Sequence, residues 1–344
     1  MRKAVILFNL GGPDKLENVE PFLFNLFNDP AILNLPAFFR YPLAKLISKR
    51  RAPATKKIYQ ELGGSSPILK LTKEQSNALE VKLNNDDNVS EYKCFVVMRC
   101  WYPRAEDVIK EVKKYNPDEI SLMPLYPQYS AATSGSSIKE WKDICNKNNF
   151  KTKTNTICCY PTDNNFILAH KNEITKKINN LDNYKLIFSA HGLPEKNIKK
   201  GDPYQWQIEQ SVNKIVETLK IDNLDWILSY QSRVGPLKWI GPSTKDIIIK
   251  NSKLGKHVVL VPIAFVSEHS ETLVELDIEY KELADKNGCI NYTRIPALGT
   301  NENFIKTMSE LIIKKENYNY DGKLFPPKVH CPNYFKKCPC LNYE

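Results

Sequence analysis

The run Ala4-Val-Ile-Leu-Phe-Asn-Leu-Gly-Gly-Pro13 reads as a buried strand that stops at a tight loop. It faintly imitates a signal peptide, but the apolar stretch is short and a turn follows where a small-residue cleavage site would stand. The same grammar recurs along the chain. Short β-rich apolar runs cover 94–98, 120–124, 154–159, 186–190, 226–230 and 258–265. Between them lie stretches with helical charge patterns, at 105–115, 209–219 and 243–252. Buried strands alternating with helices predict parallel sheets of the doubly wound α/β class, whose ligands sit at the carboxyl ends of the strands. No Gly-x-Gly-x-x-Gly follows the first strand and no Walker A pattern occurs, so the nucleotide-binding use of that fold loses its main support.

The chain has 344 residues, which at roughly 150 per domain predicts two domains. We divide it into lobes over 1–163 and 164–313 and an aperiodic extension over 314–344. Hydrophobic residues are 42% and charged residues 26%, ordinary globular usage that excludes wholesale disorder. The longest apolar run, 258–266, is far short of the roughly 20 residues a spanning helix needs. The net charge of +10 invites a nucleic-acid reading, but the basic residues are spread without a recognised motif, which ranks that reading last. An odd count of 9 Cys and no export signal predict a reducing interior, with Cys as thiols or metal ligands.

Two of the 5 His follow apolar strands directly: His191 in Leu186-Ile-Phe-Ser-Ala-His-Gly-Leu-Pro194, and His269 after the run 258–265. A strand-end His is usually a hydrogen-bonded structural group. Here Gly192 and Pro194 fix a sharp exit that aims the imidazole, a metal ligand and a base near neutral pH, into a crevice. Downstream, about 100° per residue places Glu268, Glu271, Glu275 and Glu279 on one helical stripe. A solvated acidic face is the ordinary reading of such a stripe. In a basic chain, a file of like charges that costs stability points instead to a cation or a proton flux.

Arg is scarce, so Arg40, Arg50, Arg51, Arg99 and Arg233 stand out as carboxylate partners. Arg99 ends a strand, and Arg50-Arg51 are expected to precede a helix. Structural ion pairs are at least as good a reading for any one of them. The trio Cys331-x6-Cys338-x-Cys340 lacks a fourth ligand, for which Cys158 and Cys159 are the candidates, and four thiolates suit Zn²⁺ or an iron–sulfur cluster.

Phe8-Asn-Leu-Gly-Gly-Pro13, Gly63-Gly-Ser-Ser-Pro67, Leu125-Tyr-Pro-Gln-Tyr129, Ser189-Ala-His-Gly-Leu-Pro194, Tyr230-Gln-Ser-Arg-Val-Gly-Pro236 and Val261-Pro-Ile-Ala-Phe-Val-Ser-Glu-His269 occur in one order. Together they resemble ferrochelatase, over nearly the whole chain. The resemblance implies two Rossmann-like lobes with a porphyrin cleft between them, and insertion of Fe²⁺ into protoporphyrin IX with release of two protons, the last step of haem synthesis. It implies His191 as the essential His, Glu271 as its partner acid, both on the metal, and Glu268, Glu275 and Glu279 as an acidic path. Arg51 and Ser66 match positions that contact porphyrin propionates, Trp239 and Phe265 match pocket aromatics, and Arg99 matches a motif arginine.

The tail resembles that of bacterial members with a [2Fe–2S] cluster, which implies Cys331, Cys338 and Cys340 plus Cys158, with Cys159 as the alternative. The position where animal members place their internal Cys is Ala131. The other readings weighed are a coproporphyrin or other-metal chelatase and a non-enzymatic haem carrier. The expected partners are protoporphyrin IX and ferrous iron, with no nucleic acid. The chain is expected to be cytoplasmic, a monomer or homodimer, with peripheral membrane association through the stretch from Phe22 to Leu46, rich in Phe, Leu and Pro.

Overall fold

The computed structural model describes residues 1–178, 182–233, 235, 237–313, 324–325 and 331–339. Among them the first run is the interior strand β1 (Arg2–Asn9), with Ala4 to Phe8 at most 1% exposed. The chain continues through α1 (Val19–Phe27), α2 (Ala37–Glu61), α3 (Ile68–Asp86), β2 (Glu91–Met98), α4 (Ala105–Tyr115), β3 (Glu119–Pro124), α5 (Ser136–Lys147) and β4 (Lys153–Ile157). It then runs through α6 (Asn164–Ile178), β5 (Tyr184–His191), α7 (Glu195–Lys199), α8 (Tyr204–Leu219), β6 (Trp226–Gln231), α9 (Thr244–Lys253) and β7 (His257–Pro262). A π-helix over Glu271–Glu279, α10 (Tyr280–Lys286), β8 (Tyr292–Arg294), α11 (Glu302–Ile313) and β9 (Leu324–Phe325) follow.

The strands form two sheets, ordered β2-β1-β3-β4-β9 and β6-β5-β7-β8, all parallel. Every expected strand is present. The continuous apolar runs arise because such strands are covered on both faces. The chain separates into two compact units. One comprises Met1–Tyr126, Ser130–Cys158 and Met308–Phe325, the other Pro127–Tyr129, Cys159–Thr307 and Pro326–Glu344.

In the first unit Ala4, Ile6 and Phe8 pack with Val108, Ile109 and Val112 of α4 and with Ile138, Trp141 and Ile144 of α5. The period of α4 puts its apolar residues on one stripe. Glu106 and Asp107 open it, Lys113 and Lys114 close it, and Asn116 at φ +54° stops it, a charge and cap order that follows the helix dipole. In the second unit Ile187, Val258 and Leu260 pack against Ile248 of α9, Leu276, and Tyr280 and Ala284 of α10.

The expectation that Arg50-Arg51 precede a helix is overturned, because both lie inside the 25-residue α2. Pro42 and Pro53 are accommodated within that helix, each removing a backbone donor without ending it.

In the sheet order β6-β5-β7-β8, the chain leaves β5 toward β6 and returns to β7 on its other side. The topological switch point therefore falls between β5 and β7, where crevices form beyond the strand ends. His191 ends one of these strands, and the segment from Ile263 to the π-helix leaves the other.

Candidate active site

Ser189, Ala190 and His191 end β5. Gly192 follows with its N–H on the Gln231 carbonyl at 2.9 Å. A Cβ at Gly192 would stand 2.9 Å from that carbonyl and 3.2 Å from the Trp239 ring, so only glycine permits the approach. The exit holds the His191 side chain at the crevice, 40% exposed. Its backbone carbonyl accepts the Tyr204 hydroxyl at 3.1 Å.

Across the switch point, the π-helix presents Glu271, whose Oε2 lies 2.8 Å from His191 Nδ1. His269 Nε2 stands 3.8 Å from the same oxygen, and the Phe265 ring lies 4.7 Å from the His269 ring. A π-helix is rare and often marks a functional site. Here it replaces the α-helical period expected over the acidic stripe.

Burial alone would lower the His191 pKa, but the Glu271 carboxylate outweighs it by charge and hydrogen bond, with Glu275 adding, so the imidazole is raised above its ordinary value. For Glu271 burial opposes ionisation and the His191 pair, with help from His269, overcomes it, holding the carboxyl well below the usual range. Both directions favour an imidazolium–carboxylate pair.

Glu275 is anchored rather than free. Its Oε1 accepts Ser232 N at 3.0 Å and the Tyr280 hydroxyl at 2.8 Å, and its Oε2 accepts the Ser232 hydroxyl at 2.5 Å and Gln231 Nε2 at 3.1 Å. Gln231 is oriented by Ser189, whose hydroxyl donates to Oε1 at 2.7 Å. Ser232 sits at φ +58°, a left-handed turn fixed by its two bonds to Glu275.

Of the other stripe residues, Glu268 is turned to Arg294, 2.5 Å from its Nη1, and to the Ala297 N–H at 2.9 Å. Arg294 also binds Asp277, by Nε at 2.7 Å and by Nη2. Burial opposes ionisation of Glu268, and Arg294 overrides it to lower its pKa. Glu279 goes the other way, raised by burial and by the Glu275 and Glu282 carboxylates.

The second unit thus brings together His191, Glu271, Glu275, His269, Phe265 and Trp239. Arg51, Ser66 and Arg99 belong to the first unit. Arg51 lies over the Phe27 ring at 5.4 Å. Ser66 takes a backbone bond from its N to Pro13 O at 2.8 Å, and a Cβ at Gly12 would meet its side chain at 2.5 Å. Arg99 is fully engaged: Nη2 with Asp29 at 2.8 Å, Nε with Ser136 at 2.7 Å and Nη1 with Glu140 at 3.0 Å. These contacts support the structural reading of Arg99.

Sequence reading passes over Gln231, Ser232, Tyr204 and Tyr280, although the first two stand in a quoted motif. Their partners lie 13 to 44 positions away, or within a helix whose period it mistakes.

Among the thiols, Gln207 Nε2 reaches Cys159 Sγ at 3.4 Å and Cys331 Sγ at 3.2 Å. Cys331 is also hydrogen-bonded to Cys338. That bond and burial push its pKa well above the usual thiol range. Cys331, Phe335 and Cys338 form a small buried cluster against Trp206. Cys158 is buried in the first unit, and Cys340 lies outside the described residues. Among the described residues no group of three or more His, Cys, Asp or Glu side chains is arranged to hold a single metal ion. Nor is any helix long and apolar enough to cross a membrane.

A family profile described as Ferrochelatase matches residues 2–316. The ferrochelatase of Pelagibacter ubique (strain HTCC1062) is 80% identical over 344 residues, 100% of both chains. That of Rickettsia felis is 49% identical over 98% of each. Among solved structures, SirB from Bacillus subtilis with Fe³⁺ superposes with a TM-score of 0.56 at 12% identity, covering 94% of this chain and 100% of its own. That likeness is one of fold.

Proposed function

The chain belongs to the ferrochelatase family, and from that membership together with the His191–Glu271 pair we infer that it inserts Fe²⁺ into protoporphyrin IX. Insertion requires that the two pyrrole protons leave and that the ion shed its water. In its deprotonated form, a strand-end imidazole whose Nδ1–H faces a carboxylate presents Nε2 to the crevice as a lone pair, and the carboxylate that raises its pKa makes it the stronger base. His191 therefore accepts a pyrrole proton at Nε2, and Glu271 stabilises the imidazolium that forms. A partly exposed imidazolium–carboxylate pair is also a site where a divalent ion exchanges with protons. The 2.8 Å contact between His191 and Glu271 is the observation that carries the reading.

Glu275 holds this pair in place through Gln231 and Ser232. Glu279, whose proton affinity is raised, takes the proton onward. Glu268 shapes the approach through Arg294. Arg51 and Ser66 receive the propionates, and Trp239 and Phe265 flank the macrocycle. Favouring a bent ring would expose the pyrrole nitrogen lone pairs and stabilise the transition state over the flat substrate. Anaerobic incubation of the pure chain with Fe²⁺ and protoporphyrin IX should give the haem absorption spectrum. Its absence under conditions where the porphyrin binds would overturn the reading.

We propose that the C-terminal thiols hold a [2Fe–2S] cluster. The soft, buried sulfurs of Cys331 and Cys338 beside aromatic rings suit iron–sulfur ligation, and the Cys331 thiol, raised by its Cys338 bond and by burial, needs a metal's charge to ionise. Cys331, Cys338 and Cys340 would hold it with one internal Cys. Support for Cys159 over Cys158 is the Gln207 amide, which reaches the sulfurs of both Cys159 and Cys331. When bound, the cluster would supply one-electron chemistry and a local staple. Cys159→Ser and Cys338→Ser should each bleach a coloured protein, whereas Cys158→Ser should not. Zinc in place of iron and acid-labile sulfide would remove the cluster from the account.

Peripheral lipid contact has support in α2, where Phe38, Phe39, Tyr41 and Leu46 are 70%, 57%, 56% and 65% exposed beside Arg40 and Lys45. Failure to bind anionic vesicles would remove that contact.

A further inference from the structure

A second cleft lies at the edge of the β6-β5-β7-β8 sheet, on strand β6. It is an open cleft of about 430 Å³ between β6 and α8, lined by Glu209, Val212 and Asn213 of α8, residues 226–228 and Tyr230 of β6, and the Gly241-Pro242 turn. None of these belongs to the His191–Glu271 constellation. The volume is within the range of small-molecule sites.

Tyr230 is the feature that asks for an occupant. It is 1% exposed, and its hydroxyl has no hydrogen-bond partner among the described residues. A buried hydroxyl left unpaired is costly, and its presence calls for a ligand or an ordered group to complete it. The neighbouring groups specify the charge of that ligand. Among the described residues, Glu209 accepts only the Gln205 amide, at 3.1 Å, and no Lys, Arg or His lines the cleft to neutralise it. Asn213 adds an amide oxygen. Val212, Leu228 and Pro242 supply an apolar wall. The Trp226 indole, packed edge-on at 6.1 Å from Phe188, offers a flat aromatic surface. An anion would meet the Glu209 carboxylate unopposed. A purely apolar guest would leave both that carboxylate and the Tyr230 hydroxyl unpaired.

We propose that this cleft binds a small organic ammonium ion, its N–H groups donated to the Glu209 carboxylate and the Tyr230 oxygen and its carbon skeleton laid on Trp226, Val212 and Leu228. A cation over an indole and beside a carboxylate combines cation–π attraction with charge-assisted hydrogen bonding. The cleft is also next to the active site along the strand. Tyr230 pairs across to Ala190, and the next residue, Gln231, pairs with His191 and bonds Glu275. An occupant on Tyr230 therefore stiffens the strand end that holds Glu275.

The test uses the full chain and phenethylammonium chloride, followed by isothermal titration calorimetry at low ionic strength. Saturable one-to-one binding is expected in the parent. Glu209→Gln should weaken it about tenfold or more, the loss of one charge-assisted contact. Tyr230→Phe should weaken it by a smaller factor, and Glu217→Gln, an exposed carboxylate on the same helix, should leave it unchanged. The neutral 2-phenylethanol should bind far more weakly than the ammonium. Both Gln variants are near-isosteric surface changes on α8, so circular dichroism keeps folding out of the comparison. Absence of saturable binding in the parent would overturn the proposal. So would equal affinity in Glu209→Gln, or equal binding of the neutral analogue.

Discussion

Glu275→Ala removes one acceptor from four donors at once, and the structure gives the size of the loss. The donors are Gln231 Nε2 at 3.1 Å, Ser232 N at 3.0 Å, Ser232 Oγ at 2.5 Å and Tyr280 Oη at 2.8 Å. Gln231 is 1% and Tyr280 7% exposed, so neither can turn to water, whereas Ser232 is half-buried and can. A buried donor left unpaired costs about 1–3 kcal/mol, so these two put the loss at about 2–6 kcal/mol. Glu275→Gln keeps one carbonyl oxygen for Ser232 N and Tyr280 Oη but turns an amide N–H₂ toward Gln231. It should lose about 1–3 kcal/mol, the equivalent of one such donor. Urea unfolding followed by circular dichroism, with unchanged slopes, reads both values from the midpoints. The reasoning is refuted if both variants unfold within about 0.5 kcal/mol of the parent, the range of an ordinary surface change. Loss of activity without loss of stability would then make Glu275 a proton carrier and not a clamp.

Three further outcomes follow. Arg99→Leu leaves Asp29, 3% exposed, as a buried carboxylate without its cation, and should cost about 3–5 kcal/mol in the same unfolding assay. Unchanged stability with weakened porphyrin binding would assign Arg99 to the substrate instead. His170, 1% exposed, is pushed down to about 3 by burial, so it stays neutral in the folded chain. The stability that this neutrality contributes is present above the unfolded value of about 6.5 and is lost as pH falls toward 3. His170→Phe should flatten the decline in unfolding free energy between those limits, and an unaltered pH profile would count against it. The His191–Glu271 pair works in both directions. The lowered Glu271 contributes above its unfolded value of about 4.3, and the raised His191 contributes below about 6.5 and loses that contribution as pH rises through its folded value. Glu271→Gln should therefore lower the His191 pKa in an NMR titration, and no movement of that resonance would mean the pair is not coupled.

The strands were legible because a parallel strand covered on both faces reads as one apolar run. β8, three half-buried residues at a sheet edge, and β9, two residues, have no run to read. α2 hid behind Pro42 and Pro53, which in sequence look like breaks. The site was legible in its two strand-end segments, since Gly192 and the switch point of the sheet decide where a side chain at position 191 must go. What surrounds it was not. The spacing of Glu271, Glu275 and Glu279 gives one face, but it does not say that Glu275 is taken by Ser232 and Tyr280 or that Glu268 is drawn off by Arg294. Nor does a strand-end arginine disclose Asp29 and Glu140, its partners 70 and 41 positions away. Such contacts depend on long-range packing, and local pattern carries no trace of it.

The central claim is that His191, poised by Glu271, takes a pyrrole proton at Nε2 during metal insertion and passes it on before it can take the second. Anaerobic stopped-flow single turnover with Fe²⁺ and protoporphyrin IX, following loss of porphyrin fluorescence, tests it in the parent, His191→Ala and Glu271→Gln. Each variant should bind porphyrin as the parent does yet insert iron about 10²–10⁴-fold more slowly, the usual worth of a positioned general base. Insertion by His191→Ala within twofold of the parent, at matched porphyrin occupancy, would contradict the account.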